Sequence, residues 1–534
     1  MTHVVVQPET DAPDGATATI EEDILPPVDL RPANSRRTFL ARAVATAAGV
    51  AGTGVLAQRI GTLRRSSASA QASLPIPGFF HTPPRDLAER WGTPSLRLAR
   101  RVTMGLTAEE AQLARARGFT GYLDYHLNPS AIDDSAVDTF VAANYPQTAM
   151  GVDQLYNLAA NTVLTQLQQA TLFRAAFSKR QLFERMVEFW TDHFNISMRD
   201  VGYLKTVDDR EVVRKHALGK FPDMLRASAH SPAMLSYLDN NLSRAPKVNQ
   251  NYARELLELH TLGVEGGYTQ DDVNEVARCF SGWTIQGRGN FLYDPSGHDN
   301  ASKTFLGQTV PAGVAGSQAG VNDGDQVLNY LANHPNTAKY ISKKMIAWLL
   351  RYDPWPTQVD AVAAVYLKTG GSIPAMIREI LTMENIAAAP PKHKRPFHFV
   401  VSALRGLNPV VKGVAAISGT YLINMGMQSF VWETPDGYPD KVSYWSGGMM
   451  QRWNYGDFVS ALAAGDIVVD VAPFRLTDTP DGITASISRA LFGGEIPAKT
   501  EARIKSYLSA AAISNTRVRE ALALAINSST FQWY

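Results

Sequence analysis

The sequence predicts an all-α fold: a large multi-helix domain, divided into at most two lobes, with a small loop or hairpin insertion. Apolar residues recur at helical spacing over most of the chain beyond residue 70. Stretches with strand character are few and short. Residues that favour helix ends flank many of the periodic stretches.

Residues that favour helix ends predict where several of the helices begin and end. Thr107–Glu110 is a capping box, because the threonine hydroxyl can accept a backbone N–H while the glutamate reaches back; this helix should end near Gly118. Thr269 and Asp272 predict a second capping box, with Gly263 and Gly282 as left-handed helix ends on either side. The longer helical patterns cover 152–177, 179–196, 325–351, 361–368, 395–407, 449–464 and 498–526.

Strand character is concentrated between the helices. Residues 284–293 are predicted to form a small hairpin with 303–306. These segments lie in one loop-rich stretch, and residues 429–448 form another. If the domain divides into lobes, we place the boundary near 283–321.

The N-terminal region carries the pattern of a twin-arginine export signal. Arg36 and Arg37 precede a mild apolar run, Ala41–Ala57, which is too short for a membrane span of about 20 strongly apolar residues. Ala68-Ser69-Ala70 predicts cleavage after Ala70. Residues 1–70 are therefore predicted to be a signal peptide with a long polar leader, and 71–534 the helical domain, located in the periplasm, on the cell surface or outside the cell. The alternative is an ordinary N-terminal helix.

The composition argues against several classes of function and structure. The 51 basic and 50 acidic residues give a net charge of +1, which argues against nucleic-acid binding. No further apolar run approaches the length of a membrane span, so no permanent span is predicted. The single cysteine, Cys279, excludes an intrachain disulfide and is expected in the core. Composition does not determine the oligomeric state.

The densest polar block runs from Asn249 to Gly263. On a regular helix Glu255 and Glu258 lie about 60° apart, whereas His260 lies about 160° from Glu258, so the three cannot chelate one ion. A metal site would need ligands from elsewhere in the chain. The alternative is that Glu255 pairs with an arginine and His260 caps the negative end of the helix.

A second candidate is His193, at the centre of an apolar helix face. It is either a core histidine bonded to a neighbouring helix or a ligand or general base in an internal polar site. Glu184, Glu188 and Asp192 form an acidic stripe on the same helix, and this spacing favours a solvated face over a carboxylate cluster.

Loop residues supply the third candidate. His298 and Asp299, with Lys303 nearby, could form an acid–base pair or a metal site, and the alternative is a structured polar loop. The run from Lys392 to Arg395 predicts a solvated turn. Residues 322–325 resemble an acidic turn before a helix.

Several of these segments together resemble the bacterial domain-of-unknown-function 1800 family, over nearly the whole chain after the signal. The matching segments include 96–129, 186–197, 251–263, 267–270, 281–283, 298–307, 334–343, 394–405 and 435–454. The family usually has an acid where this chain has Gln250, and an apolar or aromatic residue where it has Glu188.

The resemblance implies a bacterial protein exported by the twin-arginine route. It also implies a partner, a secreted phosphatase- or sulfatase-like protein encoded nearby. Members of the family have no established activity.

We therefore expect an extracytoplasmic enzyme with an internal polar site, whose cofactor is unknown and could be a metal. The expected catalytic residues are His193, Glu255, His298 and Asp299, and the expected binding residues are Asn251, Arg254, Glu258 and Lys303. The alternative is a non-enzymatic scaffold, carrier or binding protein that acts with the secreted partner.

Overall fold

Helices build most of the fold in the computed structural model, which describes residues 82–84, 87, 91–317 and 319–534. The α-helices are α1 (Pro94–Val102), α2 (Ala108–Leu127), α3 (Ser135–Asn144), α4 (Val152–Tyr156), α5 (Ala160–Phe177), α6 (Gln181–His193), α7 (Met198–Val201), α8 (Leu204–Asp208), α9 (Phe221–Ala229), α10 (Pro232–Tyr237), α11 (Asn251–Glu255), α12 (Gln270–Cys279), α13 (Ala319–Ala332), α14 (Pro335–Leu349), α15 (Pro356–Thr369), α16 (Ile373–Ile380), α17 (Met383–Ala388), α18 (Pro396–Leu407), α19 (Leu422–Asn424), α20 (Val442–Trp445), α21 (Met449–Ala461), α22 (Pro480–Phe492), α23 (Ala498–Ser509) and α24 (Asn515–Ile526). Wider π-helical turns occupy Asp209–Arg214, Leu256–Thr261 and Ile417–Tyr421. The predicted all-α class is confirmed.

The strands form short antiparallel pairs. They are β1 (Trp283–Gln286), β2 (Asn290–Tyr293), β3 (Lys303–Phe305), β4 (Gln308–Val310), β5 (Val410–Val411) and β6 (Ile467–Val468). β1 pairs with β2, β3 with β4, and β5 with β6. The predicted hairpin between 284–293 and 303–306 is therefore wrong in its pairing. Residues 284–293 form β1 and β2, which pair with each other, and β3 pairs with β4.

Helix α2 begins at its predicted cap, since the Thr107 side chain accepts the Glu110 N–H at 3.1 Å. The other half of the capping box does not form, because the Glu110 carboxylate binds Tyr122 and His126 instead. Gly118 takes the predicted positive φ of 66°. The helix does not end there, which corrects the prediction. It resumes beyond the kink because Tyr122 and Leu123 pack into the core.

Helix α12 follows its capping box closely. Thr269 accepts the Asp272 N–H at 3.1 Å, and Asp272 accepts the Thr269 N–H at 2.7 Å. The longest predicted helices are interrupted. The pattern over 325–351 divides into α13 and α14 because His334 caps a new helix, accepting the Asn336 N–H at 3.1 Å, and Pro335 opens it.

Two large hydrophobic clusters form the core. The first is built from side chains between Leu96 and Ile386, and the second mainly from α5 and the chain between Phe397 and Phe531. Trp283 and Phe305, in the loop-rich stretch, pack into the first cluster. A lobe boundary near 283–321 stays a prediction.

No helix within the described ranges is long and apolar enough to cross a membrane. The predicted export signal, with Arg36, Arg37 and the cleavage site after Ala70, lies outside the described residues.

Candidate functional site

His193 ends α6 and is 1% exposed. Its Nε2 lies 3.2 Å from the carbonyl oxygen of His260 and must donate, because a carbonyl only accepts. Nδ1 is then free to accept a hydrogen bond from Lys344 Nζ at 2.9 Å. His193 therefore contacts a neighbouring helical segment, as a core histidine would, and also Lys344. Its role as ligand or general base stays a prediction.

The second histidine belongs to the wide turn Leu256–Thr261. His260 is buried, and burial together with the Lys344 charge lowers its pKa to about 3. A neutral imidazole cannot cap a helix end as a cation, so that expectation is wrong. Gly263 has the predicted positive φ, 84°, and a Cβ there would lie 2.8 Å from the Tyr340 ring. Glycine is required at this position both for the turn and for the approach of α14.

Lys344 is a half-buried lysine in α14. Burial lowers its pKa to about 8, although the carboxylates of Asp192 and Asp436 act against the shift. Burial, followed by the Lys344 charge, lowers the pKa of His193 well below its ordinary value. The pair is therefore an amine that titrates near neutrality beside an imidazole that stays neutral.

Tyr340 and the carboxylates of Asp192 and Asp436 lie near this amine. Lys344 Nζ lies 5.6 Å from the ring centroid of Tyr340, one turn earlier on α14. Burial, with the carboxylates of Glu258 and Asp436, raises the pKa of Tyr340 to about 12. Asp436 is exposed and Glu258 half-buried. We call Lys344, His193, His260, Tyr340, Glu258 and Asp436 the Lys344 site.

The predicted catalytic residue Glu255 lies near the same group. Glu255 is buried at the end of α11. Burial raises the pKa of Tyr237, and neighbouring carboxylates that include Asp436 and Glu255 add to the shift. Glu255 thus acts on Tyr237 and Glu258 on Tyr340, while His193 contacts Lys344. A shared site for the three residues stays a prediction.

The loop 431–440 carries Asp436, whose charge acts on Lys344. Asn195, just beyond α6, donates to the carbonyl oxygens of Trp432 and Thr434 at 3.0 and 2.8 Å. The Tyr237 hydroxyl donates to the Glu433 carbonyl at 2.7 Å. Trp432 Nε1 donates to Asp436 itself at 3.2 Å.

The predicted binding residues Asn251 and Arg254 serve local contacts. Asn251 Nδ2 donates to Asp239 Oδ2 at 3.3 Å. Arg254 Nη2 donates to Gln270 Oε1 at 2.8 Å, and Gln270 in turn donates to Gln250 at 2.9 Å. Gln250 therefore belongs to a polar seam between α11 and α12. A binding role for Asn251 and Arg254 stays a prediction.

His298 and Lys303 belong to a second network with other partners. His298 Nδ1 donates to the Ser281 carbonyl at 2.7 Å, and its Nε2 lies 3.2 Å from Asp323 Oδ2. Lys303 donates to the same carboxylate oxygen at 2.7 Å. Burial alone would raise the pKa of Asp323, but the hydrogen bonds from His298 and Lys303 keep it below its ordinary value. Asp323 lies within α13 rather than in the predicted acidic turn.

Asp299 forms a separate ion pair with Arg278. Its Oδ2 accepts from Arg278 Nε at 2.8 Å. This ion pair, together with the pairing of Lys303 to Asp323, fixes the β3–β4 hairpin against α12 and α13. The geometry is that of a structured polar loop, and the catalytic roles assigned to His298 and Asp299 stay predictions.

The acidic stripe on α6 is not a solvated face, which corrects the prediction. Glu184 is buried and makes two hydrogen bonds to Arg214, at 2.6 and 3.0 Å. Arg395 binds both Glu188 and Asp192, the latter at 2.6 Å. The three carboxylates line a cavity of about 40 Å³ whose remaining wall is largely apolar. Glu184 is buried and Glu188 and Asp192 are half-buried, and arginines distant in sequence pair with all three.

The run from Lys392 to Arg395 is likewise buried rather than a solvated turn. Lys392 pairs with Asp440 at 2.8 Å, and Arg395 with the α6 acids. Cys279 is buried as expected, and burial raises the pKa of its thiol to about 12.

Within the described ranges, no three or more His, Cys, Asp or Glu side chains are placed to hold a metal ion. Sequence reasoning missed Lys344, Tyr340 and Asp436. The i, i+4 spacing of Tyr340 and Lys344, which puts both on one face of α14, was the available signal.

These features define an all-α protein with a lysine–histidine pair beside a loop that carries an acid. The model of the family described as "Protein of unknown function (DUF1800)" matches residues 97–533. The chain belongs to this family, as its sequence motifs predict. No curated protein and no solved structure matches the chain.

Proposed function

We propose that the protein is an exported enzyme in which Lys344 is the proton acceptor in a hydrolytic reaction. The observation that supports this proposal is the pKa of Lys344, lowered by burial to about 8, with Nζ held 2.9 Å from a neutral His193. Perturbed groups of this kind are typical of functional sites.

The lowered pKa of Lys344 increases the fraction of neutral amine that can accept a proton. At pH 7 about one tenth of amines with a pKa of 8 are neutral, roughly 300-fold more than for a lysine of pKa 10.5. His193 Nδ1 holds one N–H of this amine, so its lone pair points elsewhere. In this proposal Asp436, whose charge acts on Lys344, binds a polar substrate or an attacking water, and Glu258 beside Tyr340 assists it.

The first test measures the pKa of Lys344. Competitive acetylation between pH 6 and 11, read by fragment mass spectrometry, should give Lys344 a midpoint near 8, with the exposed Lys339 as the reference amine. Asp436→Asn should lower the midpoint, because the Asp436 carboxylate favours the charged amine. Lys343→Met, at the exposed neighbouring position, should leave it unchanged.

A Lys344 midpoint equal to that of Lys339 would contradict the proposal and favour the scaffold or carrier role. Aryl acetate, phosphate and sulfate esters supply the second test, because they cover the main classes of hydrolytic substrate. Equal turnover by the wild type and by Lys344→Met would also oppose the role of Lys344.

Export by the twin-arginine route is the other part of the proposal, and the order of leader, arginine pair, apolar run and small-residue site supports it. Replacing Arg36 and Arg37 together with lysine should retain the full chain in the cytoplasm of an exporting bacterial host. The same replacement of Arg64 and Arg65 serves as the control and should leave export intact. N-terminal sequencing of the exported chain should begin at Gln71; unchanged export of the first variant would refute this route.

A further inference from the structure

A small cavity lies where the two core clusters meet. Its volume is about 20 Å³, enough for roughly one water-sized particle. Leu106 of the first cluster and Leu491, Phe492 and Phe531 of the second line its apolar wall. The polar lining comes from the segment before α1, from α1, from the start of α18 and the residues before it, and from the segment after α24: Trp91, Arg100, Lys394, His398, Thr530, Trp533 and Tyr534.

The unpartnered polar atoms of this lining are donors. Trp91 Nε1, Arg100 Nε and His398 Nε2 are buried and have no hydrogen-bond partner. His398 Nδ1 accepts from Arg185 Nη1 at 3.2 Å, so the proton of the neutral ring is on Nε2. Three N–H groups from three parts of the chain therefore line one cavity without an acceptor, and leaving such groups unpaired is costly.

Lys394 adds an amine to the same lining. It is 5% exposed, and its ammonium lies 3.6 Å from the Phe531 ring centroid. Burial lowers its pKa well below the ordinary value, and the neighbouring charges that act on it, Arg100 and Arg452, lower it further. Glu495 pairs with Arg100 Nη2 at 2.9 Å, whereas the charges that act on Lys394 include no acid. An anion in the cavity would therefore favour the charged form of Lys394.

We propose that this cavity binds one monovalent anion of chloride size, held by Lys394, Arg100 Nε, His398 Nε2 and Trp91 Nε1. An anion accepts from all four of these donors, whereas a water molecule can accept from only two of them through its two lone pairs. Sulfate or phosphate exceeds the available volume. The ion would join α1 and α18 at the boundary between the two core clusters.

Bromide provides a direct test. Crystals of the wild-type protein grown or soaked in sodium bromide should show an anomalous peak in this cavity, within hydrogen-bond reach of Lys394 Nζ. A peak-free cavity, or one filled by ordered water in bromide, would overturn the proposal.

Solution stability gives an independent test. At constant ionic strength, replacing sodium gluconate by sodium chloride should raise the Tm of the wild type along a saturating curve, because a ligand that binds only the folded state stabilises it. Lys394→Met should abolish the chloride-dependent rise and, in gluconate, melt at or above the wild-type Tm, since burial penalises the amine that the apolar side chain replaces. Lys499→Met, at an exposed lysine, is the matched control and should keep the rise. Equal Tm in both salts for the wild type would refute the site.

Discussion

Replacing Arg395 with methionine should lower the free energy of unfolding by about 3–5 kcal/mol at pH 7, the cost of breaking a buried ion pair by removing one partner. Arg395 is 3% exposed and binds both Glu188 and Asp192. It also donates to the Tyr438 carbonyl at 3.3 Å. The variant leaves two carboxylates beside an apolar cavity and removes a contact to the loop that carries Asp436.

Guanidinium denaturation measures this loss, with Arg378→Met as the control. Arg378 pairs with Asp124, both side chains are about half exposed, and such a surface pair contributes less than about 1 kcal/mol. A similar loss in both variants would contradict the explanation from buried charge.

The Arg395→Met loss should also depend on pH. Burial raises the pKa of Asp192 from 3.8 to about 6 even with Arg395 present. Because the folded-state pKa lies above the unfolded value, the stabilisation from protonating Asp192 is lost as the pH rises from 3.8 through about 6. Without Arg395 that pKa rises further, so the loss should be smaller at pH 5 than at pH 7. A loss equal at both pH values would argue against a charged Asp192 as its cause.

Helix caps and turns that depend on residues within one helical turn could be predicted from the sequence. The helix caps at Thr107 and Thr269 lie where their residues predict, because each cap and the N–H that it accepts are three residues apart. The left-handed turn at Gly263 is equally local. Gly118 shows the limit: its conformation was predictable, but the continuation of α2 depends on the packing of Tyr122 and Leu123 against distant helices.

The candidate site depends on contacts that local patterns do not contain. His193 was identifiable because a histidine on an apolar face needs a polar partner, but Lys344, 151 residues later, carries no motif of its own. The stripe of Glu184 and Asp192 resembles a solvated face until Arg214 and Arg395 are placed beside it. The sequence also predicts His298 and His193 in one site. In the structure His298 contacts Asp323 instead, a residue that the sequence predicts in a turn.

The loop 431–440 gives the other large expected effect, through Gly437. This glycine has a φ of 74°, and a Cβ there would lie 2.2 Å from the carbonyl oxygen of Asp192. Gly437→Ala must therefore displace the loop from the end of α6, where the backbone cannot yield as a side chain would. We expect a loss of about 1–3 kcal/mol in the free energy of unfolding from overpacking, in addition to the strain of alanine at positive φ.

Two matched glycines separate these causes. Gly426 has a φ of 75° and nothing within 4 Å of its Cβ position, so Gly426→Ala measures the conformational strain alone. Gly447 also has open space around it and no positive φ, so Gly447→Ala should be nearly neutral. If Gly437→Ala costs no more than Gly426→Ala, close packing against Asp192 is not what holds the loop.

The same variant links the loop to the chemistry of Lys344. The Asp436 carboxylate raises the Lys344 pKa against the effect of burial. Moving the loop away should therefore shift the acetylation midpoint of Lys344 below about 8 in Gly437→Ala, whereas Gly426→Ala should leave it in place. A stability loss without this shift would mean that Asp436 keeps its distance from Lys344 when the loop moves. The loop would then support the fold without tuning the amine.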